Sequence, residues 1–237
     1  MGCDKADLQV LPALAGLERG YAVVSINYRM SGEAQFPALV QDAKAAVRWV
    51  RANAGHYRFD PQKIAAWGGS AGGYLVTMLG VSAGVPELED LALGNPDQPC
   101  NVQAVVAWFA PTNFLKMDPY LAESGLLPPP GFRHNEANSP ESLLLGHVIT
   151  EIPEKVNAAN PETYIRSSGP PFLLQHGTKD PVVPVQMSIA IAARMERAWG
   201  KDRITLELLD GAEHGDPRFE TAENIQRVLD FFDQYLK

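Results

Sequence analysis

The stretch "KIAAWGGSAGGYLV" (residues 63–76) holds a short apolar run that stops in Gly68-Gly69-Ser70-Ala71-Gly72 and continues as a second apolar segment. The pattern reads as a buried strand turning sharply into a helix, with a serine at the corner. Such a serine adopts a strained backbone, and neighbouring bulk would strike the sheet or the next helix. Gly68 and Gly72 are expected to relieve those contacts, and Gly73 to let the helix start lie close to the sheet. The turn would present the Ser70 hydroxyl to substrate. It would also aim the Ala71 N–H, at a helix N-terminus, toward a developing oxyanion. A lone G-x-S-x-G is also found as an ordinary glycine-rich turn, so the argument depends on what the rest of the chain supplies.

Around this turn, strand and helix patterns alternate. "YAVVSINYR" (residues 21–29) is rich in β-branched and aromatic residues and reads as a strand. Gly20, just before it, is suited to end a first amphipathic helix. "FPALVQDAKAAVRWVRANAG" places Phe36, Leu39, Val40, Ala43, Val47 and Val50 on one helical stripe, with Gly55 as terminator. "VQAVVAWFAP" (residues 102–111) is a continuous apolar strand of the kind buried on both faces of a parallel sheet. "PFLLQHGTKD" and "ITLELLD" read as later strands, and a helix ended by Gly200 lies between them. The last helix carries Ala222, Ile225, Val228, Phe232 and Tyr235 at helical spacing. Strands joined by crossover helices predict an α/β fold: one mostly parallel sheet with helices on both faces.

Residues 112–169 break the rhythm. They include "LLPPPGF", Phe114, Tyr120, Leu126, Leu127 and Phe132, and a pair of short helices is expected in them. The segment reads as an ordered lid inserted into a single domain covering residues 1–237. Its aromatics either line an acyl or aryl pocket or simply pack the insertion.

The 237 residues are 46% hydrophobic and 20% charged, ordinary values for a globular chain able to bury a substantial core. A formal charge of −8 disfavours nucleic acid and anionic membrane as partners. Cys3 and Cys100 form no CxxC pair, and no Cys/His cluster has zinc-finger spacing, so two ordinary thiols are expected. "LQVLPALAGL" follows Asp4, Lys5 and Asp7 rather than a basic segment, which disfavours a signal peptide. No run approaches the roughly 18 apolar residues of a membrane span. A soluble protein is expected, its compartment and any self-association left open.

In such sheets the ligand-binding groups lie beyond the carboxyl ends of the strands. Ser70 follows "KIAAW", Asp180 follows "PFLLQHGT" and His214 follows "ITLELLD". His214 would serve as general base for Ser70, and Asp180 would orient the imidazole. Asp180 is otherwise a turn residue before Pro181, and Asp210 or Glu213 could stand in as the acid. His176 reads as a structural loop residue and His56 as solvated. His134 and His147 fall in the lid, where a substrate contact is open to them. Asp42 reads as a surface group or a local ion-pair partner.

With Ser, Asp and His in that order, the chain resembles an esterase/lipase of the α/β-hydrolase superfamily, and most closely bacterial bifunctional feruloyl and acetyl-xylan esterases. The likeness is carried by "AVVSINYRMSGEAQFPALVQDAKAAVRWVRANA", "WGGSAGGYL", "SPESLLLG", "NAANPETY", "LLQHGTKDPVVPVQ" and "GAEHG", nearly end to end. The resemblance implies cofactor-free ester hydrolysis by Ser70, Asp180 and His214. It also implies small-molecule or oligosaccharide esters as substrates, including acyl groups on plant polysaccharide. Relatives carry an HGG-type loop after their third strand that supplies a second oxyanion N–H, and no HGG occurs in this sequence. The first three strands of that fold have no counterpart either. The strand at residues 21–29 and the strand before Ser70 would therefore pair directly, accept another chain between them, or belong to a truncated piece. The competing readings are a serine peptidase related to prolyl oligopeptidase and a truncated, inactive hydrolase.

Overall fold

A computed structural model describes residues 4–237. Cys3 lies outside the described residues. Four strands, β1 (Ala65–Gly69), β2 (Ala104–Trp108), β3 (Phe172–Gly177) and β4 (Ile204–Leu209), form a parallel sheet in the order β1-β2-β3-β4. The helices are α1 (Ala38–Ala52), α2 (Ala54–Tyr57), α3 (Ala71–Val81), α4 (Met117–Glu123), α5 (Pro140–Leu145), α6 (Pro153–Ala159), α7 (Gln186–Trp199) and α8 (Ala222–Leu236).

The alternation of strand side chains sorts the helices onto two faces. Val105, Ala107, Phe172 and Leu174 join α1, α3 and α7 in one core. Ala104, Val106, Trp108 and Leu173 point the other way and meet α8. β2 and β3 are buried at every position, as their uninterrupted apolar runs require in the interior of a parallel sheet.

Three elements differ from the sequence reading. Residues 21–29 join no ladder among the described residues; they run extended from Gly20, whose φ is 82°. Ile26 and Tyr28 pack on the larger core, and Arg29 Nη2 donates to Asp42 Oδ1 at 2.7 Å, which makes Asp42 an ion-pair partner. The N-terminal helix is wound as a 3₁₀ helix (Leu8–Arg19) containing Pro12. With three residues per turn, Leu8, Leu11, Leu14 and Leu17 share one side, and all four are exposed. Gly55 does not end α1; Asn53 does, its side-chain amide donating to Trp49 O, and Gly55 sits inside α2.

The inner face of α1 carries charge as well as aliphatic groups. Lys44 and Arg48 are fully buried. Lys44 Nζ donates to Ser82 O at 2.6 Å and lies 3.6 Å from Glu89 Oε1, and Arg48 Nη2 donates to Asp90 O at 2.7 Å. Arg51 donates to the carbonyls of Pro61, Pro99 and Asn101. Cys100, a buried free thiol, lies 3.3 Å from Glu89 Oε1. These bonds tie residues 82–101 to α1.

The insertion at 112–169 forms three short helices rather than two, α4, α5 and α6, linked by 3₁₀ turns. Phe114 is buried against Tyr74 of α3, ring centres 5.4 Å apart, and Tyr120 packs on the same core. These two aromatics therefore pack the insertion. Leu127 is exposed. Among the described residues, no helix is long and apolar enough to cross a membrane.

Candidate active site

Ser70 closes β1 and opens α3. Its backbone stands at φ 54°, ψ −119°, a sparsely populated region for a residue with a side chain. The strain is held by the surroundings: Ser70 N donates to Trp108 O at 3.0 Å, and Ser70 O accepts from Tyr74 N at 2.9 Å. A Cβ on Gly68 would lie 2.5 Å from the Gly72 carbonyl, and one on Gly73 would lie 2.6 Å from Trp108 O. Gly72 departs from expectation. A Cβ there meets open space, so it is the Gly72 backbone, pressed on Gly68, that matters. Ala71 is exposed and is the first residue of α3, where a backbone N–H has no acceptor within the helix.

Asp180 and His214 come from the loops after β3 and β4. Those loops are locked together: Thr178 N donates to Leu209 O, Lys179 N to Ala212 O, and Gly211 N to Thr178 Oγ1. Asp210 accepts from the Thr178 hydroxyl at 3.2 Å and Glu213 is exposed; the carboxylate bonded to His214 is that of Asp180. His214 Nε2 lies 2.9 Å from Ser70 Oγ, and its Nδ1 lies 2.7 Å from Asp180 Oδ2. Residues far apart in sequence thus form one hydrogen-bonded series.

Asp180 is fully buried, and its other oxygen, Oδ1, accepts from Val182 N at 2.9 Å and Val183 N at 2.8 Å. Burial alone would raise its pKa. Hydrogen bonding to His176 and His214, and their charge, outweigh it and bring the carboxyl down to about 2. The group is therefore a carboxylate at neutral pH.

Several supporting residues escape a sequence reading. His176 is no loop residue: it is buried within β3, its Nε2 2.8 Å from Val183 O and 3.4 Å from Asp180 Oδ2, and its Nδ1 2.7 Å from Ser188 Oγ. Phe109, at the end of β2, has φ 37° and sets its ring 4.7 Å from that of His214. His134 is buried between Glu141 and the Val182 carbonyl, whereas His147 is exposed and pairs with Glu151, and His56 is exposed. Among the described residues, no three His, Cys, Asp or Glu side chains converge as a metal-ligand set. A surface depression of about 450 Å³ beside Ser31, Gln35 and Ser142 contains none of Ser70, Asp180 or His214.

A family model described as BD-FAE matches residues 3–195, most of the chain. The chain belongs to the BD-FAE family. This is a family of α/β-hydrolase esterases, and the parallel sheet with helices on both faces is its architecture in this protein. The BD-FAE chain is 31% identical to Esterase LipQ of Mycobacterium tuberculosis over 92% of its own length and 48% of LipQ. It is 30% identical to Esterase LipC of the same organism over 87% of its length and 47% of LipC. It thus spans about half the length of these relatives. Among solved structures, it superposes on a truncated carbohydrate esterase from gut microbiota with TM-score 0.82 and 33% identity, covering 92% of this chain and 75% of that one. A bifunctional GH43-CE protein of Bacteroides eggerthii gives TM-score 0.83 at 33% identity, covering 95% of this chain and 28% of that one.

Proposed function

We propose that the protein is a serine carboxylesterase in which Ser70 is the nucleophile, His214 the general base and Asp180 the residue that orients it. The observation that carries this reading is the unbroken series Ser70 Oγ, His214 Nε2, His214 Nδ1, Asp180 Oδ2, with separations of 2.9 and 2.7 Å. Ser70 Oγ attacks the ester carbonyl while its proton passes to His214 Nε2. Asp180, a carboxylate at the back of the ring, keeps the remaining ring proton on Nδ1 and stabilises the imidazolium. The Ala71 N–H receives the oxyanion, worth about 10²–10³ in kcat for a donor of this kind. The imidazolium then protonates the leaving alcohol oxygen. Water, deprotonated by the same ring, releases the acid from the acyl-serine.

Acyl groups carried on carbohydrate, acetyl or feruloyl, are the substrate class this reading favours. A structure at 33% identity is that of a truncated carbohydrate esterase from gut microbiota, which supports this reading. The experiment is steady-state hydrolysis of 4-nitrophenyl acetate and of acetylated xylo-oligosaccharide by this protein and by Ser70→Ala. The expected result is turnover of both, lowered at least about 10³-fold by the substitution. Equal rates with and without the Ser70 hydroxyl would overturn the assignment. Turnover of the aryl ester alone would remove the carbohydrate part.

A further inference from the structure

His134 is buried in the insertion, and both of its ring nitrogens face oxygens. Nδ1 lies 3.0 Å from Glu141 Oε2, and Nε2 lies 2.8 Å from the carbonyl of Val182. A backbone carbonyl only accepts, so Nε2 must carry a proton. The Glu141 carboxylate likewise only accepts, so a second proton must sit in the Nδ1 contact. Without that proton, two lone pairs would face each other at 3.0 Å in a site closed to water, where an unmade polar contact is costly. The other group acting on the ring is also acidic. Asp118 of α4 accepts from His134 N at 3.0 Å and from Asn135 N at 2.9 Å. Burial opposes the charged ring, but Glu141, the Val182 carbonyl and Asp118 outweigh burial and hold its pKa above the ordinary imidazole value.

Val182 makes this contact consequential. Its carbonyl accepts from His134, while its own N–H donates to Asp180 Oδ1 at 2.9 Å. One residue therefore joins the insertion to the carboxylate behind His214. Val183 N and His176 hold the same turn from the other side.

We propose that His134 is a positioning residue: doubly protonated and paired with Glu141, it clasps the insertion to the 180–183 turn and so fixes Asp180 behind His214. The clasp rests on the esterase reading for its catalytic consequence only. When pH rises far enough to remove the proton shared with Glu141, the contact to α5 fails, the turn loosens and Asp180 loses its fixed aim. The alkaline limb of kcat therefore belongs to a histidine that never touches substrate, with KM little changed.

Glu141→Gln tests the proposal, because an amide can donate to a neutral Nδ1 and keep the contact satisfied at every pH. The experiment pairs kcat–pH profiles of the wild type and Glu141→Gln with an NMR titration of ¹⁵N-histidine-labelled wild-type protein. That titration also follows the low-field proton between His214 and Asp180. The clasp predicts protons on both His134 nitrogens at neutral pH. It predicts broadening of the low-field proton in step with their loss, and an alkaline limb that vanishes in Glu141→Gln. It is overturned by a limb of the same position and size in both proteins, or by a neutral His134 ring below the limb. If Ser70-dependent turnover is absent at every pH, the low-field proton decides alone. Broadening in step with His134 supports the clasp, and indifference to His134 overturns it.

Discussion

The ring of Phe109 stands 4.7 Å from the imidazole of His214 at an interplanar angle of 64°, so the proposed base is braced by an aromatic whose own backbone is in the left-handed region. A second edge contact, to Phe219 at 4.7 Å, holds the brace from behind. Phe109→Ala removes the brace and leaves a cavity. A loss of about 3 kcal/mol is expected in denaturant unfolding, with kcat reduced and KM nearly unchanged. Phe109→Leu, which refills most of the space, is expected to recover the larger part of both.

Glycines of the Ser70 turn are expected to differ sharply from one another. Gly68→Ala forces a methyl to within 2.5 Å of a backbone carbonyl. It should cost about 1–3 kcal/mol and displace Ser70, abolishing turnover. Gly72→Ala meets open space and should leave the melting temperature within a few degrees of wild type. Thermal unfolding and ester hydrolysis on the same samples separate the two.

Asp180 and His134 should shape stability against pH in opposite directions. The carboxyl of Asp180 is lowered from 3.8 to about 2 on folding. Its contribution, roughly 2 kcal/mol, is present above pH 3.8 and is lost as pH falls toward 2. His134 is raised on folding. Its contribution is complete below the ordinary imidazole pKa and is lost as pH rises through the folded value. Urea unfolding across pH should show an acid-side loss missing from Asp180→Asn and an alkaline-side loss missing from Glu141→Gln.

Glu89 is the carboxylate placed against Lys44 and Arg48, which are fully buried. Glu89→Ala leaves those charges without it, and a loss of about 3–5 kcal/mol is expected from chemical denaturation. Lys44→Met with Glu89→Leu removes the lysine and its carboxylate together but leaves Arg48 without Glu89, so it should recover only the lysine's share of that loss. A double variant no more stable than Glu89→Ala would contradict the pairing.

β1, β2 and β3 were legible as short apolar runs, β2 and β3 being buried throughout, whereas β4 was legible from Ile204, Leu206, Leu208 and Leu209 despite Thr205 and Glu207 among them. Ser70, Asp180 and His214 were legible for a related reason: each lies just past such a run. Residues 21–29 have strand composition but not a strand's ladder. A strand is defined by the neighbour that bonds it, and composition does not report one. His134 and Phe109 stayed hidden because they contact segments distant in sequence, and His176 because Val183 and Ser188 meet it only once the chain turns back after β3. His134 reaches Val182, 48 residues away, and nothing local marks the pairing. The 3₁₀ winding of Leu8–Arg19 was equally invisible, since a leucine every third residue also suits an α-helical stripe.

Labelling with a fluorophosphonate, followed by peptide mass spectrometry, tests the central claim most directly. An activated serine forms a covalent phosphonyl adduct that an ordinary serine does not. The account predicts a single adduct on Ser70, formed rapidly by the folded protein and lost or greatly slowed in His214→Ala. No adduct on Ser70 in a protein that is folded by circular dichroism would contradict it, as would an adduct that forms equally fast without His214.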